Sequence, residues 1–63
     1  MTQKELSYLE DAIGHQCNIV KICEETIKNL EDEELITFMN NELSKHKELK
    51  QNLLSTLEAK ANE

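Results

Sequence analysis

The chain has 63 residues, a hydrophobic content of 38% and a net charge of −6, so it forms one domain at most. A single core in a chain shorter than about 70–80 residues rarely supplies more than roughly 3–5 kcal/mol of stability without disulfides, metal or oligomerisation. The acidic balance and the scarcity of aromatic residues argue against nucleic-acid partners and anionic membrane surfaces, because both require a basic face on the protein.

The composition favours an all-α fold. The sequence contains no Pro, one Gly, one Phe, one Tyr and no Trp, whereas a β-sheet needs β-branched and aromatic runs separated by turn residues. No apolar run approaches the ~20 residues of a membrane span, and the N-terminal stretch lacks the apolar core of a signal peptide. We therefore expect no export by a signal peptide, and the two cysteines are compatible with a reducing, cytoplasmic interior.

The first helix is predicted to begin at Gln3, after a capping box. The Thr2 hydroxyl can accept a hydrogen bond from the Glu5 amide, and the Glu5 carboxylate can accept one from the Thr2 amide. Apolar residues then alternate spacings of three and four up to Leu30, as in a heptad seam, with Gln16 as the single polar member. The predicted seam residues of this helix are Leu6, Leu9, Ile13, Val20, Cys23 and Ile27.

The stretch 29–34 is predicted to form the turn of a helical hairpin, because the apolar rhythm stops at Leu30 and restarts at Leu35 and Ile36. Asp32 is a good N-cap for the second helix, and the acidic residues after it suit the positive end of the helix dipole. We predict a single hairpin domain, 1–63, with helices over about 3–29 and 33–60. The predicted seam residues of the second helix are Ile36, Met39, Leu43, Leu53 and Leu57.

Both apolar stripes are wider than a pair of helices needs. A helix that meets one partner uses two heptad positions, whereas a helix in a four-helix bundle uses three or more. We therefore expect two hairpins to associate as a homodimer into a four-helix bundle, and we interpret Tyr8 and Phe38 as core or boundary residues. The apolar residues that flank the seam are Ala12, Cys17, Ile19, Ile22, Leu35, Phe38, Leu49 and Leu54.

Folding back about the turn is predicted to bring Gln16, Cys17, His46 and Lys50 together in one polar layer near the middle of the hairpin. Di-iron bundles place a Glu on one helix opposite a Glu-x-x-His on the next. Here Leu43 occupies the Glu position before His46, and Lys50 would repel a cation. We expect the layer to set the register of the helices, and the sequence predicts no catalytic, cofactor-binding or metal site.

The two cysteines are predicted to act as small buried hydrophobes. Cys17 and Cys23 are six residues apart, which is ~9 Å of helical rise. That separation exceeds the roughly 7 Å over which two Cα atoms can be joined by a disulfide. A thiolate–imidazole pair of Cys17 with His46 is not predicted either, because nothing in the sequence orients the imidazole or supplies an oxyanion hole.

The chain contains three recognisable motifs: Lys4-Glu5-Leu6-Ser7-Tyr8-Leu9-Glu10-Asp11, then Asp32-Glu33-Glu34-Leu35, then His46 followed by Leu53-Leu54. Together they resemble the small spore coat protein F-like family of spore-forming Firmicutes. The resemblance runs through most of the chain. It implies a ferritin-like helical hairpin in a structural or sporulation-linked context, with coat or sporulation proteins as partners and a cytoplasmic or spore-associated location.

The chain departs from that family at its histidines. Many members have a His-Glu pair in the first helix and a second His in the second helix. Here the first pair is His15-Gln16, and Leu49 or Lys50 stands where the second His is expected. These departures weaken the transfer of metal binding to this chain.

A second resemblance, carried by Asn40-Asn41-Glu42-Leu43-Ser44, is to the Ser-Gln-Glu-Leu-Asp motif of the small sporulation aspartyl-phosphate phosphatases, which are also helical hairpins. The final acid of that motif is Ser44 here. The sequence therefore predicts a non-enzymatic structural or interaction protein, a homodimeric hairpin that resembles spore coat proteins. The alternatives are a metal-binding ferritin-like bundle that uses His46 and nearby carboxylates, or a phosphatase hairpin that acts on a response regulator.

Overall fold

A computed structural model describes residues 1–61 as two helices packed against each other as a hairpin. Helix α1 spans Gln3–Asn29 and helix α2 spans Glu33–Ala61, with overall Cα extents of 47 × 15 × 11 Å. The predicted all-α hairpin is confirmed, and α2 runs one residue beyond its predicted end at 60. The predicted domain also covers Asn62 and Glu63, which lie outside the described residues.

The predicted capping box starts α1. The Glu5 amide donates to the Thr2 hydroxyl oxygen at 3.1 Å, and the Thr2 amide donates to the Glu5 carboxylate at 2.8 Å. Thr2 itself keeps an extended backbone, with φ −79° and ψ 164°. The reciprocal bonds satisfy amides that have no partner inside the helix, which is why the helix begins at this point.

The connection between the helices needs no glycine, because no residue in the range 1–61 has a positive φ. Leu30 turns extended, with φ −90° and ψ 144°, while its amide still donates to the Ile27 carbonyl. Asp32 then caps α2, as predicted, since its carboxylate accepts from the Leu35 amide at 3.0 Å. The reversal is therefore encoded by an aspartate cap rather than by a helix-breaking residue.

The helix–helix seam holds the whole core of the described chain. Only Val20, 7% exposed, and Cys23, 5% exposed, are buried among residues 1–61. All other predicted seam residues are half-buried, because each helix can cover only one stripe of its neighbour. In the described part of the chain, neither helix has an apolar stretch long enough to cross a membrane.

Candidate functional site

A hydrogen bond between Gln16 and His46 crosses the middle of the seam. The distance between His46 Nδ1 and Gln16 Oε1 is 2.7 Å, and the pair is partly buried. An amide oxygen can only accept, so Nδ1–H of His46 donates this bond. Each helix contributes one polar seam residue to the pair, and the bond therefore links α1 and α2 at a defined register.

Glu42 lies next to this pair on α2. Its carboxylate is 4.0 Å from His46 Nε2 and 3.5 Å from the ammonium of Lys45. The side chains of Glu42 and His46 are 31% and 29% exposed, so both are sheltered but reachable by water. The imidazole is thus hydrogen-bonded to an amide oxygen on α1, and the Glu42 carboxylate of its own helix lies 4.0 Å away.

Two members of the predicted four-residue polar layer are joined by a hydrogen bond. Gln16 and His46 are bonded directly, whereas within residues 1–61 no side-chain hydrogen bond or ion pair joins Cys17 or Lys50 to them. Cys17 is a half-buried free thiol beside the seam, and Lys50 is half-buried. In the same range, no three His, Cys, Asp or Glu side chains lie close enough together to hold a metal ion.

The largest unassigned feature is an exposed apolar face on one side of the hairpin. In an antiparallel pair the heptad positions g and c of both helices lie on one side of the seam, and positions e and b lie on the other. The large exposed apolar side chains fall at g and c, with exposed fractions from 43% to 64%. We define the apolar face by its residues Tyr8, Ile22, Leu35, Phe38 and Leu49.

The opposite side of the hairpin is polar. Glu24 on α1 and Lys47 on α2, both at e positions, approach each other across the seam at 4.0 Å. Lys28 pairs with Glu25 at 3.7 Å on the outer surface of α1. Among residues 1–61, the large exposed apolar side chains of the two helices therefore lie on one side of the hairpin.

Polar residues also occur at the g and c positions. They include His15 on α1 with Glu42 and Lys45 on α2. The apolar face is therefore interrupted by polar side chains.

Two clefts open on the hairpin surface at its opposite ends. The cleft at the open end has a volume of about 460 Å³ and is lined by Met1, Glu5, Tyr8, Leu9, Thr56 and Lys60. The cleft at the turn end has a volume of about 420 Å³ and is lined by Ile22, Glu25, Thr26, Asn29 and Leu30. Each contains a member of the apolar face, so both bear on how a partner packs there.

The signal for the apolar face is present in the sequence as a second stripe beside the seam. Positions 8, 12, 15, 19, 22 and 26 keep the same alternation of four and three as the seam itself. Tyr8 and Phe38 were expected in a core or at its boundary, yet they are 64% and 59% exposed in the single hairpin. Within the described residues, positions 12, 19 and 26 of this stripe are half-buried, whereas Tyr8 and Ile22 remain exposed.

No protein-family model, no curated protein and no solved structure shows significant similarity to this chain.

Proposed function

We propose that this chain is a non-enzymatic structural or interaction protein that works as a homodimer, with two hairpins packed into a ferritin-like four-helix bundle. The observation that carries the proposal is the apolar face. Five large apolar side chains lie exposed on one side of a hairpin that buries only Val20 and Cys23 among its described residues. Exposed apolar surface of this extent is typical of a protein–protein contact.

The amount of exposed surface matches what a dimer interface would cover. The hairpin exposes 4932 Å², whereas a compact monomer of 7.3 kDa is expected to expose about 4,200 Å². The excess, roughly 750 Å², is close to the area of about 800 Å² that each partner contributes to a standard interface. A second copy of the chain is therefore a partner of the right size.

The distribution of charge also favours the apolar face as the surface where two copies meet. The chain carries a net charge of −6, and within the two described helices the charged side chains at the g and c positions are Glu5, Glu42 and Lys45, besides the titratable His15. Most of the net negative charge therefore lies away from the apolar face. Two acidic copies repel each other least when they meet through their least charged side.

The resemblance to spore coat proteins supplies the context of the proposal. A ferritin-like dimer of this kind would belong to a structural or sporulation-linked assembly, with other coat or sporulation proteins as further partners. The hairpin fold and the mid-helix His46 support this assignment. A cytoplasmic or spore-associated location follows from the same resemblance.

Sedimentation equilibrium of the purified chain and of an Ile22→Glu variant tests the homodimer. The native chain should have twice the mass of 7.3 kDa, and the variant should be a helical monomer because the new carboxylate would be buried in the interface. Ile22 is 63% exposed in the single hairpin, so the substitution should leave the hairpin itself folded. Glu25→Ala on the outer surface is the control and should remain dimeric. A monomeric native chain at all concentrations would overturn the proposal.

A metal-binding bundle is the second candidate, favoured by the Glu42 carboxylate at 4.0 Å from His46 Nε2. Two such pairs in a dimer would place a carboxylate and an imidazole from each copy in one bundle. Thermal melts with Fe²⁺, Mn²⁺ or Zn²⁺ test it, because a ligand of the native state raises the midpoint. Unchanged midpoints at saturating metal would retire this candidate.

A further inference from the structure

We propose that the two hairpins pack head to tail, so that Phe38 of each copy fills the open-end cleft of the other. This inference rests on the proposed homodimer and adds its geometry. It joins two features of the hairpin surface: the exposed ring of Phe38 near the turn and the cleft at the far end.

Phe38 is the projecting feature. It lies in the second turn of α2 and is 59% exposed, although Phe is among the residue types most often found buried. Aromatic anchors of this kind carry a large share of the binding energy when they enter a pocket on the partner. Phe38 is thus the side chain on this face with the most to gain from burial.

The open-end cleft is the receiving feature. Met1, Tyr8 and Leu9 supply apolar lining, and Thr56 on α2 forms the opposite wall. Its volume of about 460 Å³ leaves room for an aromatic ring. Tyr8 is itself 64% exposed, and packing a ring beside it would bury apolar surface on both copies.

The positions of the two features suit a two-fold axis. Phe38 and the middle of the cleft on α2 are about 20 residues apart, which is about 30 Å of helix. Their midpoint lies next to Leu49, which is 43% exposed. A two-fold axis there places Leu49 against its own counterpart and forms the ring-in-cleft contact twice, as an isologous interface requires.

The rival arrangement is head to head, with Phe38 against the turn-end cleft of the partner. That arrangement brings together two copies of the acidic turn, whose residues 31–34 are all Asp or Glu. Head-to-tail packing instead places the turns at opposite ends of a body 47 Å long, well beyond a Debye length of about 8 Å.

A double-mutant cycle on the dimer dissociation constant tests the contact. Phe38→Ala and Tyr8→Ala should each raise the dissociation constant by about tenfold or more. In the double variant, the rise in the dissociation constant should be at least about threefold smaller than the product of the two single rises. The reason is that the two side chains share one contact. Phe38→Ala with Ile22→Ala, which would be coupled in the head-to-head dimer, should be additive.

The control for these variants is Asn41→Ala on the exposed outer surface of α2, which should leave the dissociation constant within about twofold. Circular dichroism should show full helicity throughout, since Ala is the best helix former. Coupling of Phe38 to Ile22 instead of Tyr8, or an unchanged dissociation constant in Phe38→Ala, would overturn the inference.

A distance measurement gives an independent answer. Both native cysteines are replaced, as Cys17→Ala and Cys23→Ala, and a single spin label is attached at Glu31→Cys. This position lies about 14 residues from the middle of α1, where the proposed two-fold axis passes. Head-to-tail packing therefore predicts about 40 Å between the labels of the two copies. Head-to-head packing predicts about 20 Å or less. A dimer with the short distance overturns the head-to-tail inference and leaves the homodimer standing, whereas a monomeric native chain removes both.

Discussion

The hydrogen bond between Gln16 and His46 is the residue-scale feature that most constrains this hairpin. Two polar side chains occupy a seam that is otherwise apolar, and they satisfy each other at 2.7 Å. Such a bond contributes only about 0.5–1.5 kcal/mol net, but leaving one partner unpaired costs a comparable desolvation penalty. Sliding one helix along the other would separate the pair. The hydrogen bond therefore disfavours other registers of the two helices.

Replacing the pair tests this role. Gln16→Leu or His46→Leu alone should lower the free energy of unfolding or leave it nearly unchanged. Each replacement leaves a partly buried polar group without its partner. The double replacement should be more stable than the two single effects predict, with a coupling of about 0.5 kcal/mol or more. Urea unfolding of the four proteins measures this. The exposed Gln51→Leu serves as control, and strict additivity of the two replacements would contradict the assignment.

The capping carboxylate of Glu5 should make the start of α1 sensitive to acid. The pKa of Glu5 is lowered from its ordinary 4.5. The hydrogen bond from the Thr2 amide is the main cause, and the Thr2 side chain contributes less. The stabilisation is therefore fully present above pH 4.5 and is lost as the pH falls through the lowered pKa of the folded state. The free energies of unfolding in urea of the native chain and of Glu5→Gln should differ at pH 6, and the difference should disappear as the pH falls through the lowered pKa of Glu5. A difference that stays constant with pH would exclude the carboxylate as its source.

At the scale of single elements, Gly14 is the weak point of α1. It lies inside a helix of 27 residues, and a methyl group added there would meet nothing within 4 Å. Glycine in a helix interior is disfavoured by its backbone freedom, and nothing in the hairpin compensates for that. Gly14 occupies a b position, on the side of the seam away from the apolar face.

Gly14→Ala should raise the free energy of unfolding by roughly 0.5–1 kcal/mol. The gain should persist in the dimer, because the proposed interface leaves this side of α1 open. Chemical unfolding at fixed protein concentration measures the change, and Ser44→Ala, at the matching position of α2, should give a smaller gain. A loss of stability would mean that a partner covers the side of the hairpin that carries Gly14.

At the scale of the whole molecule, stability and assembly are coupled. Only Val20 and Cys23 are buried among the described residues, and a chain of this size gains little from its own core. If folding and dimerisation are linked, mass action makes the melting temperature depend on protein concentration. The apolar face would then contribute to the stability of the fold as well as to its interactions.

The melting midpoint of the native chain should rise across an approximately hundredfold increase in concentration, and that of Ile22→Glu should not. Circular dichroism melts in cells of different path length provide the measurement. Equal midpoints for the native chain at all concentrations would show that a single hairpin supplies all of the stability. That result would count against a dimer held together by the apolar face.

Some features of this hairpin were predictable from the sequence and others were not. The capping box at Thr2 and the Asp32 cap were predictable because each involves residues within three positions of one another. The bond from Gln16 to His46 was predicted as one contact of a larger layer. Cys17 flanks the seam and Lys50 occupies a seam position, and neither is hydrogen-bonded to the pair, because side-chain direction depends on how the two helices cross.

The sequence by itself determined two helices, their starts and the stripe that joins them, because caps and apolar spacing act over one or two turns of chain. Only the tertiary structure decided which flanking residues are left uncovered and on which side. Packing α2 on α1 covers a single stripe of each helix, and the direction of packing selects the side on which Tyr8, Phe38 and Leu49 remain exposed to solvent.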